Sequence, residues 1–115
     1  MMDEEGRRAK IAANEAVFRH VNERIEGLHR SLLAGDADSE MAVVCECGDL
    51  ACAQQVTVDV RSYEEVRSDA TLFIIAPGHD IQDVEEIVAS RDGYDVVCKN
   101  RGLGRSVAEA TDPRG

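Results

Sequence analysis

Three of the four cysteines in this chain lie within VVCECGDLACAQQ, residues 43–55, as Cys45, Cys47 and Cys52. Residues two apart on a strand face the same side, so Cys45 and Cys47 can approach one point together. The Gly48-Asp49 pair is a turn signal, and a tight bend there returns Cys52 toward them. The segment therefore demands a strand that ends in a sharp turn, with its thiols gathered on one side. The opening residues, MMDEEGRRAK, are charged and lack an apolar run, so a cytoplasmic location is expected. In a reducing compartment, clustered thiols serve metals or redox chemistry more often than structural disulfides.

Around this cluster the sequence changes period. In RRAKIAANEAVFRHVNERIEGLHRSLL, the residues Ile11, Phe18, Val21, Ile25, Leu28 and Leu32 recur at three- and four-residue steps, with Asn14 in the same stripe. This predicts one long helix whose stripe docks on the rest of the chain; a two-stranded coiled coil between chains is the competing use. Gly27 weakens such a helix without ending it. AGDADSE then reads as a linker. MAVVCEC reads as a strand, and QQVTVDV as a second, with Val56, Val58 and Val60 on one face. Ser62 and Glu65 form a capping box for a short helix. TLFIIA is a buried third strand. Asp80 is expected to cap a helix carrying Ile81, Val84, Ile87 and Val88 that stops before Gly93. YDVVCK is a fourth strand, and the tail is expected to hold a weak helical turn and then fray. The order α-β-β-α-β-α-β places the chain in the α+β class, with a small four-stranded sheet. The expected divisions are an N-terminal helix (1–33), a linker (34–40), a compact α+β zinc-binding domain (41–100) and a C-terminal tail (101–115).

Zinc takes four ligands in a tetrahedron, and three local thiolates leave one position to fill. His79, Cys98 and, less well placed, His20 and His29 are the candidates. His79 follows a buried strand, and Pro77-Gly78 is a turn pair able to present its side chain. Placed ahead of the expected helix, an anionic Zn(Cys)3His group would also meet a favourable N-terminus. Cys98 continues the apolar face of a strand and reads more simply as a small buried hydrophobe. Ligand type alone does not separate zinc from iron.

NEAVFRHVNERI, CECGDLAC, YEEVR, FIIAPGHD, YDVVCK and the final DPR occur in this order along nearly the whole chain. In that order the chain resembles a family of small, uncharacterised bacterial proteins. The three cysteines and the Pro-Gly-His step recur there, while the position of Cys98 is commonly acidic. The resemblance implies Cys45, Cys47, Cys52 and His79 as the ligand set, leaves Cys98 as an extra thiol, and implies nothing about a substrate.

Charge narrows the partners. The formal net charge is −10, residues 1–33 are balanced, and no Lys or Arg lies between Ser31 and Val60. Such a surface repels a phosphate backbone, so direct nucleic-acid binding is not expected. No stretch approaches the roughly 18 apolar residues of a membrane span. A protein partner, met through the acidic surface or the N-terminal helix, is the expected association, with a dimer through that helix as the competing use. The deaminase pattern and the His-Glu-x-x-His motif are missing from the sequence. These readings converge on a small acidic zinc-binding protein, non-enzymatic, with a structural Cys3His site and a regulatory or interaction role. A thiol redox sensor is the alternative, and a zinc enzyme comes third.

Overall fold

A computed structural model describes residues 3–33 and 36–115; Met1, Met2 and the Ala34-Gly35 part of the expected linker lie outside them. The first element is the long helix α1 (Glu4–Leu33). It starts where Asp3 turns its carboxylate back to accept the Gly6 amide at 2.7 Å, and Glu4 and Glu5 favour the positive end of the helix dipole.

The face that α1 buries is not the expected aliphatic stripe. Ala12, Glu15, Arg19, Asn22 and Glu26 are buried, whereas Val21, Leu28 and Leu32 are exposed and Ile11, Asn14, Phe18 and Ile25 lie on the flank. The helix is turned by about a third of a revolution from that expectation. The reason is that the body of the protein offers it charge and backbone groups. Arg19 donates to the carbonyls of Ala70 (2.6 Å) and Ala108 (2.7 Å), with its guanidinium 4.7 Å from the Phe73 ring centroid. Lys99 Nζ donates to Glu15 and Glu85, each at 2.9 Å. Periodicity counted apolar side chains, and here the polar ones carry the docking.

Strands β1 (Glu40–Val44) and β2 (Gln55–Asp59) pair antiparallel, with Met41 opposite Val58 and Val43 opposite Val56 on the buried face. Helix α2 (Val60–Arg67) follows directly. Its cap is Asp59, whose carboxylate accepts the Ser62 amide at 3.0 Å, rather than the Ser62-Glu65 box. A second antiparallel sheet has the order β3-β5-β4, from β3 (Leu72–Ile75), β4 (Glu85–Arg91) and β5 (Tyr94–Lys99). The chain thus has the α+β class and long N-terminal helix expected of it, but five strands in two sheets instead of one sheet of four.

The extra strand, β4, replaces the helix expected after Asp80. Arg91 pairs with Tyr94 across Asp92-Gly93, and Gly93 has φ 90°. A positive-φ glycine closes a helix or a two-residue hairpin equally well, and Asp-Gly is a strong hairpin signal. Of the four residues expected to line the helix, Val84 alone is buried, while Ile87 and Val88 lie exposed on the edge strand. The tail also departs from expectation. It forms helix α3 (Leu103–Ala110), held through its Ala108 carbonyl by Arg19, and Arg114 reaches Glu23, Glu26 and Glu64 on α1 and α2.

Between the two sheets the backbone makes one joint. The Cys45 amide still bonds to Gln54 in the β1–β2 ladder (2.9 Å), but the next amide, Glu46, bonds to Ile74 of β3 (2.8 Å).

Candidate metal centre

That joint carries the thiols. Side chains alternate along it, so Cys45 and Cys47 face one way and Glu46 the other. The following bend depends on Gly48, at φ 83°, where a Cβ would lie 2.9 Å from Ile11 Cγ2 and 3.1 Å from Glu15 Cγ. No other residue fits both the conformation and the space. Asn14 of α1 donates to the Gly48 carbonyl at 2.9 Å, and the Asp49 carboxylate accepts the Ala51 amide at 2.9 Å. The Asp49 carbonyl then accepts the Cys52 amide at 2.9 Å, which closes the loop.

His79 arrives on a separate turn. The Ala76 carbonyl accepts the His79 amide at 3.1 Å, with Pro77 and Gly78 (φ 82°) in the central positions of a type II geometry. The Ala76 amide donates to Cys45 Sγ at 3.1 Å, so a single residue ties the histidine turn to the cysteine strand. The anticipated helix after His79 is a run of turns, so no helix N-terminus stands at this histidine.

Cys45, Cys47, Cys52 and His79 bring one ligand atom each into a group lying within 4.8 Å of one another. His79 Nδ1 is 3.7 Å from Cys45 Sγ and 3.6 Å from Cys52 Sγ. With Zn–S near 2.3 Å and Zn–N near 2.0–2.1 Å, a tetrahedron has S···N edges of roughly 3.5–3.6 Å. The spacing is compatible with a metal site. Cys45 and Cys47 are buried and Cys52 and His79 half-buried; Cys47 and His79 border a shallow opening shared with Asp49 and Asp80. Burial pushes the Cys45 thiol strongly up, against the opposing Ala76 amide, and burial raises Cys47 as well. Thiols so placed do not ionise unaided; a divalent cation would supply the missing countercharge.

The other sequence candidates lie elsewhere. Cys98 pairs with Leu72 at the start of β3, whereas His79 follows the end of that strand, and its Sγ is 3.5 Å from Thr71 Oγ1. His29 Nε2 is 2.8 Å from Ser39 Oγ, and His20 is exposed.

Sequence reasoning missed Glu46. Its buried carboxylate accepts Asn22 Nδ2 (2.7 Å), both Arg67 Nη groups (3.2 and 3.0 Å) and the Ile74 amide (2.9 Å). Asn22 also exchanges two bonds with the Val44 backbone, each 2.8 Å. The strand alternation that aimed two cysteines one way already placed this carboxylate in the opposite layer. What it lacked was a visible partner, since Asn22 and Arg67 are distant in sequence.

Neither a known protein family, nor a characterised protein, nor a solved structure matches the chain.

Proposed function

We propose that this chain is a small zinc-binding protein in which Cys45, Cys47, Cys52 and His79 hold one ion as a structural cross-link. The observation that carries the reading is the convergence of four donors from a strand, its turn and a remote histidine turn at tetrahedral spacing. Four protein donors fill the coordination sphere and leave no open position for a substrate or a reactive water. The reading is therefore non-enzymatic: the ion pins the cysteine loop to the Pro77-Gly78-His79 turn, and the acidic surface and α1 meet a protein partner. Its test is elemental analysis of protein purified without chelator. One zinc per chain is expected, with loss of thermal stability on chelation. Metal-free protein with its thiols reduced and its fold intact would sink the reading.

A second reading, thiol redox sensing, is favoured by the partial exposure of Cys52 beside two buried thiols. Hydrogen peroxide would take two electrons from Cys52 and a neighbouring thiolate, forming a disulfide and water and freeing the ion. Metal release that keeps pace with peroxide addition, absent in Cys52→Ser at matched metal content, distinguishes it from a purely structural site.

A further inference from the structure

Strand β3 is an edge strand, paired within its sheet on one side only, with β5. Alternate amides along such an edge turn outward and need an acceptor from elsewhere in the chain. At Ile74 and Ala76 those acceptors are the side chains of two successive residues. The Ile74 amide donates to the Glu46 carboxylate at 2.9 Å, and the Ala76 amide donates to Cys45 Sγ at 3.1 Å. The Ile74 carbonyl accepts the Glu46 amide at 2.8 Å, so Glu46 grips Ile74 with backbone and side chain together. Three residues past Ala76, the same run of chain delivers His79. The register of the cysteine segment on this edge therefore decides whether thiols and imidazole meet.

Glu46 is held from two further directions. Asn22 on α1 donates to its carboxylate at 2.7 Å, and both terminal nitrogens of Arg67 on α2 donate at 3.2 and 3.0 Å. Glu46 is wholly buried and Arg67 is 3% exposed. A buried ion pair is a weak source of stability, because its Coulomb gain is set against the lost hydration of both charges. What this one supplies is direction: a carboxylate that accepts from α1, α2 and β3 at once is fixed in place. An apolar side chain at this position would fill the same layer and keep Cys45 and Cys47 on one side. It would also leave the Ile74 amide without an acceptor and the segment free to shift along the edge.

We infer that Glu46 is a positioning residue for the metal centre: its carboxylate fixes the Cys45-Glu46-Cys47 segment on the β3 edge so that both thiols face the His79 turn. The inference rests on the zinc reading of that site. Glu46 is no ligand, since its side chain lies in the layer opposite the thiols, and it acts through Cys45 and Cys47. Binding groups need placement within about 0.5 Å to work together. Residues that orient metal ligands change metal affinity about 10–100-fold when replaced.

The test is zinc affinity, from competition between the folded full chain and a chelator, with the absorption spectrum of the cobalt(II)-loaded chain as a second readout. Glu46→Gln keeps the size of the side chain but turns an amide N–H toward the donors of Asn22 or Arg67. It is expected to weaken zinc about 10–100-fold and to shift the cobalt ligand-field bands, which report how the donors are arranged. Arg67→Lys keeps the countercharge without the planar fork. It should move both readouts in the same direction by less, and it serves if Glu46→Gln does not fold. Val58 is buried in β2 opposite Met41, away from the cysteine segment. Val58→Ala should lower thermal stability and leave both readouts at their wild-type values. Wild-type affinity and cobalt spectra in every folded variant of Glu46 and Arg67 would overturn the inference and leave the zinc reading standing. A Val58→Ala effect on both readouts as large as theirs would reduce Glu46 to general stability and overturn it too. A wild-type chain that takes up neither metal would overturn the zinc reading, and the inference with it.

Discussion

His79 and Cys98 are the two residues whose roles diverge most sharply. His79 points Nδ1 at two thiols, while Cys98 sits at the other end of the sheet with a hydroxyl for company. Removing the imidazole leaves three thiolates and a place for water; removing the Cys98 sulfur touches no donor of the group. In a chelator titration His79→Ala should therefore surrender zinc at far lower chelator than wild type, and Cys98→Ser should titrate like wild type. The reverse order would mean a four-cysteine site. Gly48 offers a second residue-scale test. Gly48→Ala forces a side chain into positive φ and against the α1 backbone carbonyl of Ile11 at 3.2 Å. A loss of about 1–3 kcal/mol is expected in denaturant unfolding, together with weaker metal retention.

Among the elements, α1 shows where sequence legibility ended. Its existence and length were readable from period and charge, and so were the strands on either side of the cysteines, because Val56, Val58 and Val60 alternate without interruption. Which face of α1 docks was not readable. The answer depended on Lys99, Ala70 and Ala108, residues remote in sequence that supply charge and carbonyls to it. Gly93 failed for a different reason, since one glycine conformation serves two kinds of chain reversal. The grouping of Cys45, Cys47, Cys52 and His79 was legible because three of them are local and the fourth stands on a self-contained turn. Glu46 was not, since its partners come from two other helices. Adjacent positions on α1 now make contrasting predictions. Val21→Asp should leave the unfolding free energy of the chain within about 0.5 kcal/mol. Asn22→Ala, which strips the Val44 backbone and Glu46 of partners, should cost about 1–3 kcal/mol. Equal losses from the two would mean that α1 docks on its aliphatic face after all.

For the molecule as a whole, the buried acids set how stability follows pH. Burial raises Glu15 to about 8 despite Lys99 beside it, and two carboxyls sharing one ammonium make a proton on Glu15 favourable. Glu26 is raised to about 7, first by burial and then by neighbouring Glu64. Both folded-state values lie above the ordinary 4.5, so the folded chain holds protons that the unfolded chain releases. Their contribution is complete below about pH 4.5 and is lost as pH rises through 7 and then 8. Each proton contributes a slope of at most about 1.4 kcal/mol per pH unit. Glu15→Gln, compared with wild type at saturating zinc so that the ligands' own pH dependence cancels, should flatten the fall in stability between pH 5 and 8. An unchanged slope would show that Glu15 is ionised in the folded chain.

The polar docking face of α1 also bears on the order in which the protein can be completed at the ribosome. The helix is made first, yet the groups that hold it down come later, the last of them much later: Val44 is 22 residues beyond Asn22, Lys99 is 84 residues beyond Glu15, and the Ala108 carbonyl is 89 residues beyond Arg19. While the rest of the chain is still being synthesised, Glu15, Arg19, Asn22 and Glu26 stand in water, where charged side chains are well solvated. A nascent helix with an aliphatic docking face would spend the same interval exposing it to other hydrophobic surfaces. Here the half of the helix that must wait for its own chain is hydrophilic. The aliphatic half, with Val17, Val21, Leu28 and Leu32, faces outward in the finished fold and waits for nothing from its own chain.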